Sequence, residues 1–257
     1  MSKAARERTA RERLAEERKR QVARSRQRRL LAVVLGAVAV VAVIVAVTVV
    51  VLDQRGQRDQ TATPYRGPQA PLTRQSDGSI AMAKAGVNAP VIEVFEDFQC
   101  PACKQFEENT GKTVKQLAAE GKAKVVYRPF HLFGEQPDPI KGNSLRSAAA
   151  ALCVPAPQWL SYHDALFRFQ PQEGSEGFST EDLVAWGKDV GVTDPNFDKC
   201  VTDQQQKAKV DSMTTYALQT RQVNSTPTVF LDGRKLESEL QDPAALQKAV
   251  ADAKGAQ

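Results

Sequence analysis

Two cysteines separated by two residues are the part of this sequence best suited to chemistry. Cys100 and Cys103 flank Pro101 and Ala102. Residues three apart lie on the same face of a helix, so a pair with this spacing can form and break an intramolecular disulfide. The pattern predicts a redox pair in which Cys100 is the attacking sulfur and Cys103 is the shielded partner that closes the disulfide.

The residues around this pair predict that it lies where a strand ends and a helix begins. Residues 91–95 are β-branched and aromatic, and the residues after Cys103 have helical composition. Pro101 suits the first position of a helix, because proline has no N–H and its φ is already helical. The free N–H groups and the dipole at a helix start lower the pKa of a thiol. Cys100 is therefore predicted to be the acidic sulfur.

Two other uses of the pair, a zinc site and an inert disulfide, compete with redox chemistry. The spacing is also half of a zinc site, but the remaining cysteines, Cys153 and Cys200, stand singly and far apart. An inert disulfide is disfavoured because a four-residue loop restrains the unfolded chain very little. His163, within the predicted helix 159–169, is expected to be a partly buried helix residue, and His131 is either a loop residue or an active-site neighbour. Neither supports a metal site or a hydrolytic dyad on its own. Redox chemistry without a metal ion or a cofactor is the favoured prediction.

The N-terminal part predicts a membrane anchor. Residues 30–52 are a run of 23 uncharged, mostly apolar residues, and a helix of that length reaches about 34 Å, enough to cross a hydrocarbon core of about 30 Å. Residues 1–29 carry 12 Lys and Arg against 4 Asp and Glu. The positive-inside rule then places this tail in the cytoplasm and everything after Asp53 outside. A cleaved signal peptide is the alternative, but its apolar core usually has only about 7 to 15 residues.

The basic charge is confined to the tail. The whole chain has a formal net charge of +5, but the residues after 29 carry more acidic than basic side chains. Nucleic-acid binding by the folded part is therefore not predicted. The tail could lie on anionic headgroups as a helix, although setting the membrane topology is explanation enough for its charge.

The rest of the chain predicts a flexible linker followed by one domain. Residues 53–75 have almost no large apolar residues, which is typical of a linker, and the domain occupies residues 76–257. Its signals predict strand, helix and strand, then an all-helical insertion over about 141–223, then a strand hairpin and a closing helix. The predicted strands are 79–83 at an edge, 91–95, 124–127 and 228–231, with 128–133 leaving the sheet. The helix after the cysteines is predicted to run to about Glu120 with a bend near Gly111, because glycine weakens helix interiors. The other predicted helices include 144–153, 159–169, 204–223 and 243–254.

A second motif makes the layout specific. NSTPTVF, residues 224–230, places Pro227 at the start of a strand. Together with the cysteine pair, this resembles the DsbA-like family of thiol-disulfide oxidoreductases, which have an α/β thioredoxin-like fold with an all-helical insertion. The resemblance covers about residues 77–252 and is carried by FEDFQCPAC, YRPF, YHDALF and STPTVFLDG.

The resemblance implies where substrate binds and where this chain departs from the pattern. The peptide bond before Pro227 is expected to be cis, with Thr226 and Pro227 forming the substrate groove opposite the attacking cysteine. Ala102 replaces the histidine of the best-known members. Val94 stands where thioredoxin-fold proteins often carry a buried acid, so proton transfer from Cys103 is expected to use water or a nearby acid, namely Glu93, Glu96 or Asp97.

The predicted function is a membrane-anchored, extracytoplasmic oxidoreductase that introduces disulfides into unfolded exported proteins with free thiols. The resemblance implies reoxidation by a quinone-linked membrane oxidase. In this compartment Cys153 and Cys200 are expected to form a structural disulfide, the alternative being two unrelated buried thiols. A disulfide reductase or isomerase, and a tethered chaperone or assembly factor without redox turnover, are the alternative functions.

Overall fold

The computed structural model describes residues 43–45 and 60–255. The chain divides into two compact units, Met1–Asp59 and Gln60–Gln257. In the first unit, residues 43–45 are helical and exposed, while the predicted tail and the rest of the predicted anchor lie outside the described residues. Within the described ranges, no helix combines the length and the apolar character needed to cross a bilayer.

A six-stranded sheet forms the centre of the second unit. Its order is β1-β2-β4-β3-β5-β6; β3 and β4 run parallel, and the other neighbouring strands in this sheet run antiparallel. The helices between β3 and β4 complete the strand, helix and strand unit that the sequence predicts. The strands are β1 (Leu72–Arg74), β2 (Ile80–Met82), β3 (Val91–Glu96), β4 (Lys124–Pro129), β5 (Thr228–Leu231) and β6 (Arg234–Lys235).

Helices follow β3, fill the segment between β4 and β5, and close the domain. The all-helical insertion is therefore confirmed. The bend predicted near Gly111 is a π-helical turn, Glu107–Gly111, that joins the first two helices, and a second π-helical turn, Tyr216–Thr220, follows α7. The α-helices are α1 (Pro101–Phe106), α2 (Lys112–Ala119), α3 (Ile140–Cys153), α4 (Ala156–Arg168), α5 (Thr180–Asp189), α6 (Phe197–Thr202), α7 (Lys207–Thr215) and α8 (Pro243–Gly255).

β3 is buried on both faces of the sheet. Ile92 and Val94 pack in a core cluster that contains Trp159 of the insertion, whereas Phe95 packs in a second cluster with Val210 of α7. Successive side chains of a strand point to opposite faces, which explains this division. The end of β3, from which the cysteine motif continues, is thus held from both sides by packed side chains.

The last part of the predicted linker 53–75 packs on the folded domain, which corrects the predicted boundary. Ala62 is buried and its N–H donates to Oδ2 of Asp189 at 2.9 Å, and the N–H of Tyr65 donates to the Ser161 hydroxyl at 2.9 Å. β1 also lies in this segment. The linker prediction was wrong here because a segment with few large apolar residues can dock through its backbone hydrogen bonds.

β4 is longer than the sequence predicts. Pro129 still pairs with Glu96 of β3, so the prediction that residues 128–133 leave the sheet was wrong at its start. Pro129 is the last residue of the strand, a position where a missing N–H removes no interior ladder bond. The N–H of Phe130 donates to the Glu96 carbonyl at 2.9 Å and prolongs the pairing.

Two further predictions need correction. β2 is an interior strand between β1 and β4, because β1 comes from the segment predicted as linker. The predicted helix 204–223 is interrupted at its start, where Gln204 has a φ of +46°, and α7 begins only at Lys207.

The predicted hairpin turn between β5 and β6 is confirmed. Asp232 and Gly233 both have positive φ, as such turns require.

Candidate active site

Cys100 and Cys103 lie at the junction of β3 and α1. The N–H of Cys100 donates to the Asp97 carbonyl at 2.9 Å, which closes the turn between the two elements. Cys100 is the last extended residue before the helix, with φ −80° and ψ 117°, and Pro101 begins the helix. Both cysteines are free thiols. The structure therefore places the pair at the strand and helix junction that the sequence predicts.

The two thiols differ in burial and acidity. Cys103 is completely buried, whereas Cys100 is 6 % exposed. A hydrogen bond with the Cys103 thiol lowers the pKa of Cys100 to about 6 in spite of burial, and the N–H groups of Cys103 and Ala102 act in the same direction. Burial raises the pKa of Cys103 well above that of a free thiol, as does the hydrogen bond to Cys100. At neutral pH the pair consists of a thiolate and a thiol.

We expect the alkylation rate of Cys100 in the reduced protein to rise with pH through a midpoint near pH 6, because the thiolate is the reacting species. Mass spectrometry after short exposure to iodoacetamide at a series of pH values measures this. The matched control is Cys103→Ala, whose midpoint should be higher because the hydrogen bond from Cys103 is lost. A midpoint near that of a free thiol, about 8.5, in both proteins would contradict the assignment.

The loop before β5 meets Cys100. The Thr226–Pro227 peptide bond is cis, as the resemblance implies. The Cys100 sulfur lies 3.4 Å from the Thr226 carbonyl oxygen, to which it donates when it is protonated. Thr226 is 9 % exposed, whereas Pro101 and Ala102 are exposed. The fold thus brings the predicted groove residues against the reactive sulfur, although 126 positions of sequence separate Thr226 from Cys100.

Asp97 holds the turn before Cys100 in place. Its completely buried carboxylate accepts hydrogen bonds from the N–H of Gln99 at 2.9 Å, from the N–H of Leu132 at 2.8 Å and from the Ser144 hydroxyl. Burial raises the pKa of Asp97 to about 6, and these donors oppose that rise. Asp97 therefore ties the active-site turn to the loop after β4 and to α3.

The other two acids that the sequence suggests near the motif have different surroundings. Glu93 forms ion pairs with Arg128 and Arg221. Glu96 is completely buried and lies 3.0 Å from Nε2 of His163. His163 is itself completely buried, so the prediction of a partly buried helix residue was wrong. A carboxylate partner in the core makes complete burial of an imidazole possible.

Gln170 is a site residue that sequence reasoning missed. Its side-chain NH₂ donates to the carbonyl of Phe98 at 2.7 Å and to the carbonyl of Cys100 at 3.0 Å. Gln170 follows α4, so the helical insertion supports the turn that carries the reactive sulfur. A single glutamine after a helix gives no sequence signal of such a role, since the contact depends on tertiary packing across 70 residues.

We expect Gln170→Ala to lower the free energy of unfolding by about 1–2 kcal/mol, because two hydrogen bonds to partly buried carbonyls are lost. Urea unfolding measures the change. Gln170→Glu should lower the free energy of unfolding more than Gln170→Ala does, because it places a carboxylate, which can only accept hydrogen bonds, against two carbonyl oxygens. Gln172→Ala is the matched control, because Gln172 is exposed. Equal stability of the Gln170 and Gln172 variants would show that these contacts contribute nothing.

Cys153 and Cys200 form a disulfide with a Cα–Cα distance of 5.9 Å. Cys153 is the last residue of α3 and Cys200 lies in α6, so the bond joins two helices of the insertion. Because these sulfurs are bonded to each other, they are not available to complete a zinc site with Cys100 and Cys103.

Comparison with known proteins agrees with this geometry. A family model described as thioredoxin matches residues 85–252, which is more than half of the chain. The matched range includes the cysteine pair, the helical insertion and the loop with Thr226 and Pro227. A comparison with curated protein sequences gives no significant match.

Several solved structures are similar to this chain. The reduced disulfide bond oxidoreductase DsbG from Mycobacterium tuberculosis has a TM-score of 0.58 and 27% identity, over 73% of this chain and 86% of that chain. Oxidised DsbA from the same organism has a TM-score of 0.57 and 27% identity, over 72% and 92% of the two chains. Oxidised BdbD from Bacillus subtilis, with a TM-score of 0.59 and 17% identity over 76% and 98%, supports the fold alone.

Proposed function

Because this chain belongs to the thioredoxin family, we propose that its cysteine pair introduces disulfides into exported proteins outside the cytoplasmic membrane. The enzyme is a DsbA-like thiol-disulfide oxidoreductase, as its structural neighbours indicate. The observation that carries the proposed direction is the unequal acidity of the two thiols, with the pKa of Cys100 lowered to about 6 and that of Cys103 raised. A stabilised thiolate favours the reduced enzyme and therefore makes its disulfide an oxidant.

The reaction begins with the Cys100–Cys103 disulfide. A substrate thiolate attacks the sulfur of Cys100, the bond to Cys103 breaks, and Cys103 leaves as a thiolate that takes up a proton. A mixed disulfide now joins the substrate to Cys100. We propose that the substrate chain passes along the Thr226 carbonyl, because this group lies 3.4 Å from the Cys100 sulfur.

A second substrate thiolate then attacks the substrate sulfur of the mixed disulfide. The bond to Cys100 breaks, and Cys100 leaves as the thiolate that its low pKa stabilises. The substrate loses two electrons and gains a disulfide, and the enzyme is left as a dithiol. Restoring the enzyme disulfide needs an electron acceptor, for which we propose a quinone-linked membrane oxidase as partner.

The membrane location rests on the sequence. The uncharged segment 30–52 and the basic tail 1–29 place the domain outside the cytoplasm if the segment spans the membrane. The disulfide between Cys153 and Cys200 agrees with this location, because such bonds persist in oxidising compartments and are rare in the cytosol. The substrates we propose are unfolded exported proteins that still carry free thiols.

The reduction potential of the Cys100–Cys103 pair tests the proposed direction. We expect a value well above about −270 mV, the potential of thioredoxin, and a faster gain of disulfides in a reduced, unfolded test protein when the oxidised enzyme is added. Equilibration with glutathione buffers measures the potential. The matched control is Cys100→Ser, which cannot form the redox disulfide. A potential near that of thioredoxin would favour the reductase, and full cellular function of Cys100→Ser would favour the chaperone.

A further inference from the structure

Two glutamates and a histidine from three different elements come together inside the domain. Glu96 ends β3, Glu107 begins the π-helical turn after α1, and His163 lies in α4. One carboxylate oxygen from each glutamate and a ring nitrogen of His163 all lie within 4.8 Å of one another. Glu96 and His163 are completely buried, and the Glu107 side chain is 7% exposed. Carboxylate oxygen and imidazole nitrogen are metal-ligand atoms, so the three groups together form a possible ligand set.

His163 is held in the orientation that a metal ligand needs. Its Nδ1 lies 3.2 Å from Oδ1 of Asp164, whereas its Nε2 lies 3.0 Å and 3.2 Å from the two carboxylate oxygens of Glu96. A histidine that binds a metal ion through one ring nitrogen almost always donates the other N–H to a carboxylate, a carbonyl or water. Asp164 occupies that second position, so Nε2 of a neutral His163 directs its lone pair towards Glu96.

The spacing of the ligand atoms suits Zn²⁺. Zinc binds imidazole nitrogen at about 2.0–2.1 Å and carboxylate oxygen at about 2.0–2.2 Å, so two ligand atoms of a tetrahedral site lie roughly 3.3–3.5 Å apart. The distances from Nε2 of His163 to the Glu96 oxygens are slightly shorter than this, and small side-chain movements are enough to fit the ion. Three protein ligands leave the fourth position of a tetrahedral site for water.

Polar atoms beside these groups lack the hydrogen bonds that burial demands. Oε1 of Glu107, the Tyr127 hydroxyl and Nε1 of Trp159 are buried and have no hydrogen-bond partner among the described residues. The rings of Tyr127 and Trp159 lie 5.1 Å and 4.9 Å from the ring of His163. The negative charges of Glu107 and Glu96 act on the Tyr127 hydroxyl. Buried polar atoms are nearly always paired, so several unpaired atoms at one place point to a bound ligand.

The formal charge of the group matches a divalent cation. The Lys115 ammonium lies 2.9 Å from Oε2 of Glu107 and 2.8 Å from Oδ1 of Asp164. With His163 neutral, three carboxylates and this one ammonium give a net charge of −2, because Glu96 is the third carboxylate. Uncompensated charge is costly inside a protein. One divalent ion brings the sum to zero.

A surface pocket gives an ion access to these ligands. Glu107, Lys115 and Asp164 line this pocket of about 290 Å³, and the Asp164 side chain is 22% exposed. The Glu107 carboxylate lies against Gly111, where a Cβ would collide with it. Glycine at position 111 therefore leaves room for this ligand in the π-helical turn.

We propose that Glu96, Glu107 and His163 form a binding site for one divalent transition-metal ion, with Zn²⁺ as the best match. Asp164 orients His163 from outside the site. A set of one nitrogen and two oxygen ligands suits Zn²⁺ better than Ca²⁺ or Mg²⁺, which prefer oxygen ligands alone. The role of the ion is structural, because it ties β3 and the π-helical turn to α4 of the helical insertion. The sequence gives no signal of this site, since 67 positions separate Glu96 from His163.

The test is Zn²⁺ binding to the full-length protein, purified without a histidine tag and in its oxidised form. With both cysteine pairs in disulfides, none of the four cysteines offers a thiolate to zinc. After treatment with a chelator and its removal, isothermal titration calorimetry should show one Zn²⁺ per chain. The thermal unfolding midpoint should rise with Zn²⁺ concentration, and binding should release protons and strengthen with pH, because a ligating imidazole must be neutral. Absence of binding, or binding without a higher midpoint, would overturn the proposal.

Substitutions locate the ion. Asp164→Asn should lower the Zn²⁺ affinity by about 10–100-fold, as loss of an outer-shell partner does, and His163→Gln and Glu107→Gln should lower it at least as much. His131→Gln is the matched control, because it removes the other histidine of the chain and should leave the affinity unchanged. Wild-type affinity in His163→Gln and Glu107→Gln, or a loss in His131→Gln instead, would reject this location.

X-ray absorption at the zinc edge tests the same site in the wild-type protein if the variants do not fold. With one equivalent of Zn²⁺, the spectrum should show nitrogen and oxygen neighbours at about 2.0–2.2 Å, the scattering pattern of a single imidazole, and no sulfur at about 2.3 Å. A spectrum without imidazole, or with sulfur, would contradict the assigned ligands. None of these measurements depends on the direction of thiol-disulfide exchange, so their outcome leaves the proposed oxidase function untouched.

Discussion

Replacing Cys103 with Ala should turn the enzyme into a trap that holds each substrate in a disulfide with Cys100. In the variant, Cys100 keeps its position at the helix start, and its thiolate can still attack a disulfide that a substrate already contains. That attack forms the mixed disulfide with Cys100 and releases the other substrate sulfur as a thiolate. Cys103 is no longer present to attack Cys100 and re-form the internal bond, so only a second substrate thiol can release the substrate, and mixed disulfides accumulate. Non-reducing electrophoresis of whole cells should show new high-mass species, and mass spectrometry of these species names the substrates.

The controls for this experiment separate the two sulfurs. Cys100→Ala should trap nothing, because Cys103 is completely buried and its pKa is raised. The double variant should also trap nothing. Complexes that form through Cys103 in the Cys100→Ala protein would contradict the assigned roles. Exported proteins among the trapped species would support the proposed location, and cytosolic proteins alone would reject it.

Removing the disulfide between Cys153 and Cys200 should lower the free energy of unfolding by about 4 kcal/mol. The bond closes a loop of about 48 residues. Its loss raises the conformational entropy of the unfolded chain, and in the chain-entropy model this stabilises the unfolded state by about 4 kcal/mol. The double variant Cys153→Ala and Cys200→Ala avoids leaving a free thiol, and urea unfolding under non-reducing conditions measures the difference.

The same variant should keep its chemistry while it loses stability. The alkylation midpoint of Cys100 is expected to stay near pH 6, because the groups that lower its pKa are Cys103, Thr226 and the N–H groups of its own helix start, and none of them belongs to the disulfide. A decrease in the free energy of unfolding of less than about 1 kcal/mol would show that the disulfide does little to restrain the unfolded chain. A shifted midpoint would show that the disulfide acts on the redox pair and is not purely structural.

The sequence predicts those parts of the site whose signals are local. Pro101 and the residues on either side of it indicate a helix start after a strand, and the acidity of Cys100 follows from that position. The contact between Thr226 and Cys100 has no local signal. It could be expected only from the resemblance, because chain topology alone brings the two segments together.

The parts that sequence reasoning missed depend on tertiary packing. His163 resembles any histidine on an amphipathic helix, and its partner Glu96 lies 67 positions away. Gln170 acts through backbone carbonyls, which carry no sequence information. The segment before β1 has the composition of a linker, yet it binds the domain through backbone groups, as the N–H of Ala62 does, and through the small buried side chains of Ala62 and Ala70.

The position of β1 at the edge of the sheet has a practical consequence for anyone who shortens this protein. A truncation at Ser76, where the sequence alone places the start of the domain, removes β1 and uncovers the hydrogen-bonding edge of β2. The three residues of β2 are all buried, and an uncovered apolar edge strand tends to pair with another molecule. A soluble, monomeric fragment should therefore begin no later than Gln60, so that β1 and the residues before it still shield the sheet.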